Sequence, residues 1–325
     1  MRHNPNEWTV VSPAVITRQT VAREQDGGRG GRSVAERSDP PALRWLIGVE
    51  LTNYRKQSGV SQAAAAKALG ISTGMIGHYE VGRYFPAPEQ ITRLLELYGA
   101  PQHDVERLSV LAGRADQSSW LARWNDIIPD WAKTYVGLEG LASHVVSYTP
   151  LVLPALVQTK EYSAGVTSPS ARVRPDQQER LVGLRMERQK RLFAEDRPLQ
   201  LTAMIEESIL DRPIGGDNAP GVMRGQLHRL VELTKRDNVE ILVLPTAIGR
   251  HDGLEGRFDL LHFRDAEGRV QAQSIGYVEI PDDAVYIQDQ HQVEKYTGSA
   301  ELLRSVALPQ AQSVKAIKAR LAALE

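Results

Sequence analysis

Between Gly59 and Arg83 the chain reads GVSQAAAAKALGISTGMIGHYEVGR, and Ser72, Thr73, Gly74, Met75, Gly77 and His78 fall within one short stretch of it. Most of these residues are small or hydrogen-bonding. They form no nucleophile with a base beside it and no metal-ligand set. The chemistry open to them is close contact with a polar surface. A helix entering a DNA major groove, roughly 12 Å wide, needs such a face, because bulky aliphatic side chains would hold it away from base edges. It also needs apolar residues behind it, and Ile76 and Tyr79 have the spacing. Gln62 opens the preceding helix, where free N–H groups favour a phosphate. Arg55, Lys56, Arg83 and Tyr84 flank the pair and are candidates to bond or neutralise phosphates, each charge adding salt-dependent affinity. A corner that packs only on protein is the competing reading.

Such a face must be held rigidly, and the flanking pattern supplies the means. From Leu43 to Gly113 apolar residues recur at helical spacing, among them Leu46, Ile47 and Leu51, then Ala65, Ala66 and Leu69, then Ile91, Leu94 and Leu95. Ser61 and Ser72 suit helix starts, Gly59 and Gly70 suit helix ends, and Pro88 suits a first helical turn. The pattern predicts five short helices. Ala63 to Ala66 allow two of them to approach closely.

These residues resemble the Cro-and-repressor type of helix-turn-helix domain, the xenobiotic-response-element (XRE) family of transcription regulators. The resemblance covers about 47–113 and rests on SQ at the second helix, LGIS at the turn, YEVGR after the third helix and PAPEQITRLLELYG for the fourth. It implies double-stranded DNA as a partner, and for Glu80 a structural role closing the recognition helix. The two glycines in that helix depart from the family, where Ser, Thr or Arg is more usual.

Residues 1–42 lack periodicity and carry REQDGGRGGRSVAERSDPP, so a disordered arm is expected, either inert or touching DNA through its arginines. Residues 115–175 read as a helical connection, in which Trp120, Trp124 and Trp131 suit a buried helix face better than a ligand cage. Residues 176–325 read as a mixed α/β domain. Strands are predicted in LQLTAMIEE, NVEILVLP, GRFDLLHF, QSIGYVEI and DAVYIQD, and helices in PDQQERLVGLRMERQKRLFAE, PGVMRGQLHRLVELTKR and the two C-terminal segments. The expected class is therefore α+β: an N-terminal all-α five-helix bundle over 43–114, followed by a larger mixed α/β domain.

The region from about 118 onward resembles the C-terminal domain of actinobacterial Scr-type, toxin–antitoxin-like regulators. The motifs are YTPLVLPALVQTKEYSAGV, RMERQKRLF, EESILDRPIGG and VEILVLPTAIGRHDGLEGRFDLLHF, with Ala155 where that family has Gly. This resemblance implies a small protein encoded by a neighbouring gene as a possible partner. Read on their own, Arg185, Arg188, Gln189 and Arg191 lie along one helix, as a solvated face or as a seat for an acidic partner or effector. Glu206 and Glu207 are adjacent in a strand and point to opposite faces, so they make no catalytic pair. His251 and Asp252 suit a turn rather than a metal site.

Composition limits the remaining classes. The 325 residues include no cysteine, which excludes disulfides, thiolate zinc sites and cysteine nucleophiles. No apolar run approaches the length of a membrane span. The net charge is −1, with eight basic against six acidic residues in 44–114 and 25 against 29 in 115–325. A cytoplasmic, non-enzymatic, homodimeric DNA-binding transcription regulator without cofactor is expected, its C-terminal domain sensing an effector or a partner protein. The alternative is an antitoxin-like interaction module.

Overall fold

The computed structural model describes residues 40–112, 120–195, 197–264 and 270–324; the N-terminal arm expected over 1–42 lies outside these except for Pro40 to Ala42. Those three residues begin a helix, and Ala42 is fully buried.

Five helices come first: α1 (Pro40–Ser58), α2 (Gln62–Leu69), α3 (Thr73–Glu80), α4 (Pro88–Leu97) and α5 (Gln102–Ala112). Their ends follow the sequence signals. The Ser61 side chain accepts from the Ala64 N–H and Ser72 from the Met75 N–H, each satisfying one orphan donor of a helix start. Gly70 sits at φ +69°, where a side chain would be strained, and turns the chain from α2 into α3. Ile47, Leu51, Ala65, Ile76, Ile91, Leu95 and Leu108 form the core of this head.

The remainder alternates helices and strands: α6 (Asp130–Leu141), β1 (His144–Thr149), α7 (Lys160–Thr167), α8 (Gln178–Gln189), β2 (Gln200–Glu206), α9 (Ala219–Leu233), β3 (Val239–Leu244), β4 (Phe258–Arg264), β5 (Val270–Ile280), β6 (Asp283–Ile287), α10 (Gln290–Val306) and α11 (Gln310–Ala322). The strands form one mixed sheet in the order β3-β2-β1-β4-β5-β6. β1, β2 and β3 run parallel, and β4, β5 and β6 continue as an antiparallel meander. Period-two alternation buries both faces. Ala203, Ile205, Ile241 and Val243 join the larger core with α9 and α11, whereas Met204, Leu242 and Leu260 pack with Val293 and Leu303 of α10.

The α+β class is therefore as expected, but one strand was missed. His144 to Thr149, read from sequence as part of a helical connection, is β1 in the middle of the sheet. Nor do the three tryptophans share one helix. Trp124 ends a short 3-10 turn, Pro129 intervenes, and Trp131 lies on α6. The loop with His251 and Asp252 is a turn, and a Cβ on its Gly253 would overlap the phenol ring of fully buried Tyr148. Gly253→Ala should therefore lower the unfolding free energy by about 1–3 kcal/mol in urea titration.

α1 belongs to both parts of the molecule. Its Ile47 and Leu51 enter the head core, while Ala42, Leu46 and Val49 enter the larger core. Trp45 packs on Tyr286 of β6 with ring centroids 5.3 Å apart, and Asn53 Nδ2 donates to the Gln288 carbonyl at 3.4 Å. The head is thus mounted on the sheet domain through a shared helix, and both fall in one compact unit.

Candidate nucleic-acid interface

The α2–α3 corner presents a small, polar outer surface. Ser72, Thr73 and Gly74 are exposed, and Gly77 and His78 are half-buried. Ile76 and Tyr79 face inward at 1% and 7% exposure, which fixes the rotation of α3 about its axis. Met75 also leans on the head core rather than presenting a free side chain. After α3 the chain curls back: the Arg83 and Tyr84 N–H groups both donate to the His78 carbonyl, at 2.9 and 3.3 Å. The Tyr84 ring meets His78 edge-on at 5.1 Å between centroids. Arg83, Tyr84 and Lys56 are exposed around this corner.

Two of the flanking residues turn away from the role expected of them. Arg55 is not a free cation: its Nε and Nη2 grip the Glu80 carboxylate, the latter at 3.0 Å, and Nη1 donates to the Val60 carbonyl at 3.1 Å. The Arg55 and Glu80 side chains are 14% and 8% exposed. The amide of Gln62 donates to the second Glu80 oxygen at 2.8 Å. Attraction to a half-buried carboxylate outweighs what solvent offers these donors, so Glu80 draws the end of α1 and the start of α2 onto the end of α3. The hydrogen bond to Glu80, and then its charge, also hold the Arg55 guanidinium above its ordinary pKa against the effect of burial. Sequence reading placed Glu80 structurally but did not see that Arg55 and Gln62 are its partners.

The two glycines of α3 leave its surface open. A Cβ at Gly77 would meet nothing within 4 Å, and one at Gly74 only the Ser72 hydroxyl at 4.0 Å. Gly77→Ala should therefore raise stability by roughly 0.5–1 kcal/mol, since alanine removes backbone entropy without a clash. Urea denaturation checks this; a loss of stability would mean that the position is packed.

The arginine row of α8 is not one exposed face. Gln189 is buried, and its amide donates to the Ala155 and Gln158 carbonyls at 2.8 and 2.7 Å, bracing the PALVQT segment. Arg191 is 2% exposed and bonds the Ala142 and Arg197 carbonyls. Both are structural, contrary to the expectation of a partner-facing row. Arg185, Arg188 and Gln189 do share one side of α8, but that side packs against the protein rather than solvent, and Arg191 lies past the helix end in a 3-10 turn. Arg185 and Arg188, four and one positions before Gln189, instead line a cavity of about 540 Å³ against the sheet.

Glu206 and Glu207 diverge as expected: Glu206 accepts from the Tyr148 hydroxyl at 2.8 Å, and Glu207 from the Thr246 N–H at 3.0 Å. Among the described residues no helix is long and apolar enough to cross a membrane.

Residues 46–108 match the model of a helix-turn-helix domain, and residues 132–319 match a domain of unknown function, DUF5753. No curated protein and no solved structure matches the chain. The second match extends across more than half of the sequence, from α6 to α11, so the chain belongs to the DUF5753 family and carries a helix-turn-helix domain, the DNA-binding fold of transcription regulators, at its head.

Proposed function

We propose that this protein is a sequence-specific DNA-binding transcription regulator of the XRE type that acts as a homodimer. The observation that carries the reading is the outer face of α3. It is small and polar, exposed at Ser72, Thr73 and Gly74 and half-buried at Gly77 and His78, backed by a buried core and fixed by the Glu80 cluster. Thr73, Gly77 and His78 would approach base edges, while Lys56, Arg83 and Tyr84 would contact the backbone on either side. A single head covers one half-site. Two heads related by a two-fold axis would meet half-sites about 34–36 Å apart. The sheet domain would join the two copies and carry the signal that changes their DNA affinity.

The test is selection of a duplex from a random-sequence pool by the purified protein, followed by titration of the selected duplex. Thr73→Ala with Arg83→Ala should weaken binding at least about tenfold, or 1.4 kcal/mol, without changing the thermal midpoint. Unchanged affinity in that double variant, or failure to enrich any sequence, would remove the proposed surface.

A further inference from the structure

The cavity under α6 and α8 has walls that three periodicities create together. α6 contributes Trp131, Tyr135, Val136 and Glu139, β1 contributes Val145, Ser147 and Thr149, and α8 contributes Leu184, Arg185 and Arg188. Its volume of about 540 Å³ is that of small-molecule pockets, which are mostly apolar with a few placed polar groups.

The charges within it are unevenly matched. Arg188 presents Nε and Nη2 to Glu139 at 2.7 and 2.6 Å. Arg257 faces Glu279 at 3.2 Å and Asp259 at 3.8 Å. Among the described residues Arg185 makes no ion pair, and the Glu279 charge acts on it only from a distance. Its hydrogen bonds all leave Nη1, toward the Ser163 carbonyl, the Ser163 hydroxyl and the Thr167 hydroxyl. The Nε–Nη2 edge, the one Arg188 uses to hold a carboxylate, is left unused by the described residues. Burial, and then the Arg188 charge, push the Arg185 guanidinium down to about 10, so the fold carries this cation at a disadvantage. Three more cavity-lining residues, Thr149, Gln158 and Asp259, each carry a buried oxygen without a hydrogen-bond partner among the described residues. Thr149 and Gln158 are each 4% exposed, and among the described residues Thr149 Oγ1 and Gln158 Oε1 have no hydrogen-bond partner. Such atoms are uncommon in a folded interior and call for an occupant.

We propose that this cavity binds a small monocarboxylate with an apolar body, its carboxylate seated on the Nε–Nη2 edge of Arg185 and a donor group of the ligand meeting Thr149 or Gln158. The fork geometry suits a carboxylate bidentately. A phosphate shares the anionic chemistry, but Glu139, Asp259 and Glu279 oppose a second negative charge. The effect of occupancy on DNA binding rests on the regulator reading above. The binding itself does not, and it is measured without DNA.

Full-length protein is titrated calorimetrically with decanoate, 10-hydroxydecanoate and 3-indolepropionate, with 1,10-decanediol as the neutral control and decyl phosphate as the dianionic one. At least one carboxylate should bind, and more tightly than either control. Arg185→Gln should weaken it about tenfold or more, while the ligand-free thermal midpoint stays level or rises, because an uncompensated charge is removed. Thr149→Val provides a second variant and should bring 10-hydroxydecanoate to the affinity of decanoate. No binding by any of the three carboxylates, binding that survives Arg185→Gln, or tighter binding of decyl phosphate would overturn the proposal.

Discussion

Glu139→Ala is expected to lower the unfolding free energy by about 3–5 kcal/mol, the usual consequence of leaving one member of a buried ion pair alone. The Glu139 side chain is 4% exposed and that of Arg188 is 12% exposed. Burial by itself would depress the Arg188 pKa, but the Glu139 charge and its hydrogen bonds raise it well above the ordinary value. Removing the carboxylate therefore leaves a desolvated cation with only the Tyr135 ring, 5.6 Å from its Cζ, and the more distant acids. Replacing both partners, as Glu139→Leu with Arg188→Met, should recover most of the loss, since an apolar pair of similar volume is close to neutral in such places. Urea denaturation of the three proteins measures both terms. A loss under about 1 kcal/mol in the single variant would mean that solvent reaches the pair.

Gly48→Ala is the second large effect, and it acts on the DNA-binding head. A Cβ at Gly48 would stand 2.6 Å from the Tyr79 carbonyl oxygen and 2.7 Å from that of Glu80. These are backbone atoms at the end of α3 and cannot rotate away, so α1 and α3 must separate. The expected loss is about 1–3 kcal/mol, with DNA binding weakened beyond that of a merely less stable protein because α3 is displaced. The comparison with Gly77→Ala is instructive. The same added methyl should stabilise an open helix surface and destabilise a helix crossing. If both variants unfold at the same urea concentration as the parent, α1 does not set the position of α3.

The head was largely legible because its signals are local. Serine caps, Gly70 and the spacing of Ile76 and Tyr79 lie within a few residues of what they determine, and the five helices follow them. Long-range pairing was not legible. Arg55 meets Glu80 25 residues on, and Tyr135 donates to Asp259 across 124 residues. β1 was hidden for a related reason. Its alternate residues Ser147 and Thr149 face the cavity, so the strand shows only a short apolar signature between α6 and a turn. The α8 arginines were visible as a row, but whether each faces solvent, cavity or core depends on what packs against the helix.

The mounting of the head connects the two candidate sites physically. Tyr286 donates to the Trp131 carbonyl at 2.6 Å and accepts from the Tyr135 N–H at 2.8 Å, both on the cavity wall, and its ring packs on Trp45 of α1. Gly82, at φ +68°, lies so close to Trp45 that a Cβ would come within 2.8 Å of the Trp45 Cα. α1 is thus in contact with the cavity wall on one side and with the loop after α3 on the other. Coupling energies between such sites are typically about 1–3 kcal/mol.

The claim that α3 enters the major groove is tested most directly by directed cleavage. The absence of cysteine allows a single Thr73→Cys to carry an iron chelate at a unique position. Bound to its selected duplex, the labelled protein should cut in two clusters about one helical turn apart, in the pattern of a major-groove source. A Ser168→Cys label, on the exposed turn after α7, should leave the same duplex uncut. Cleavage confined to the Ser168 label, or none from the Thr73 label while the protein remains bound, would contradict the assignment.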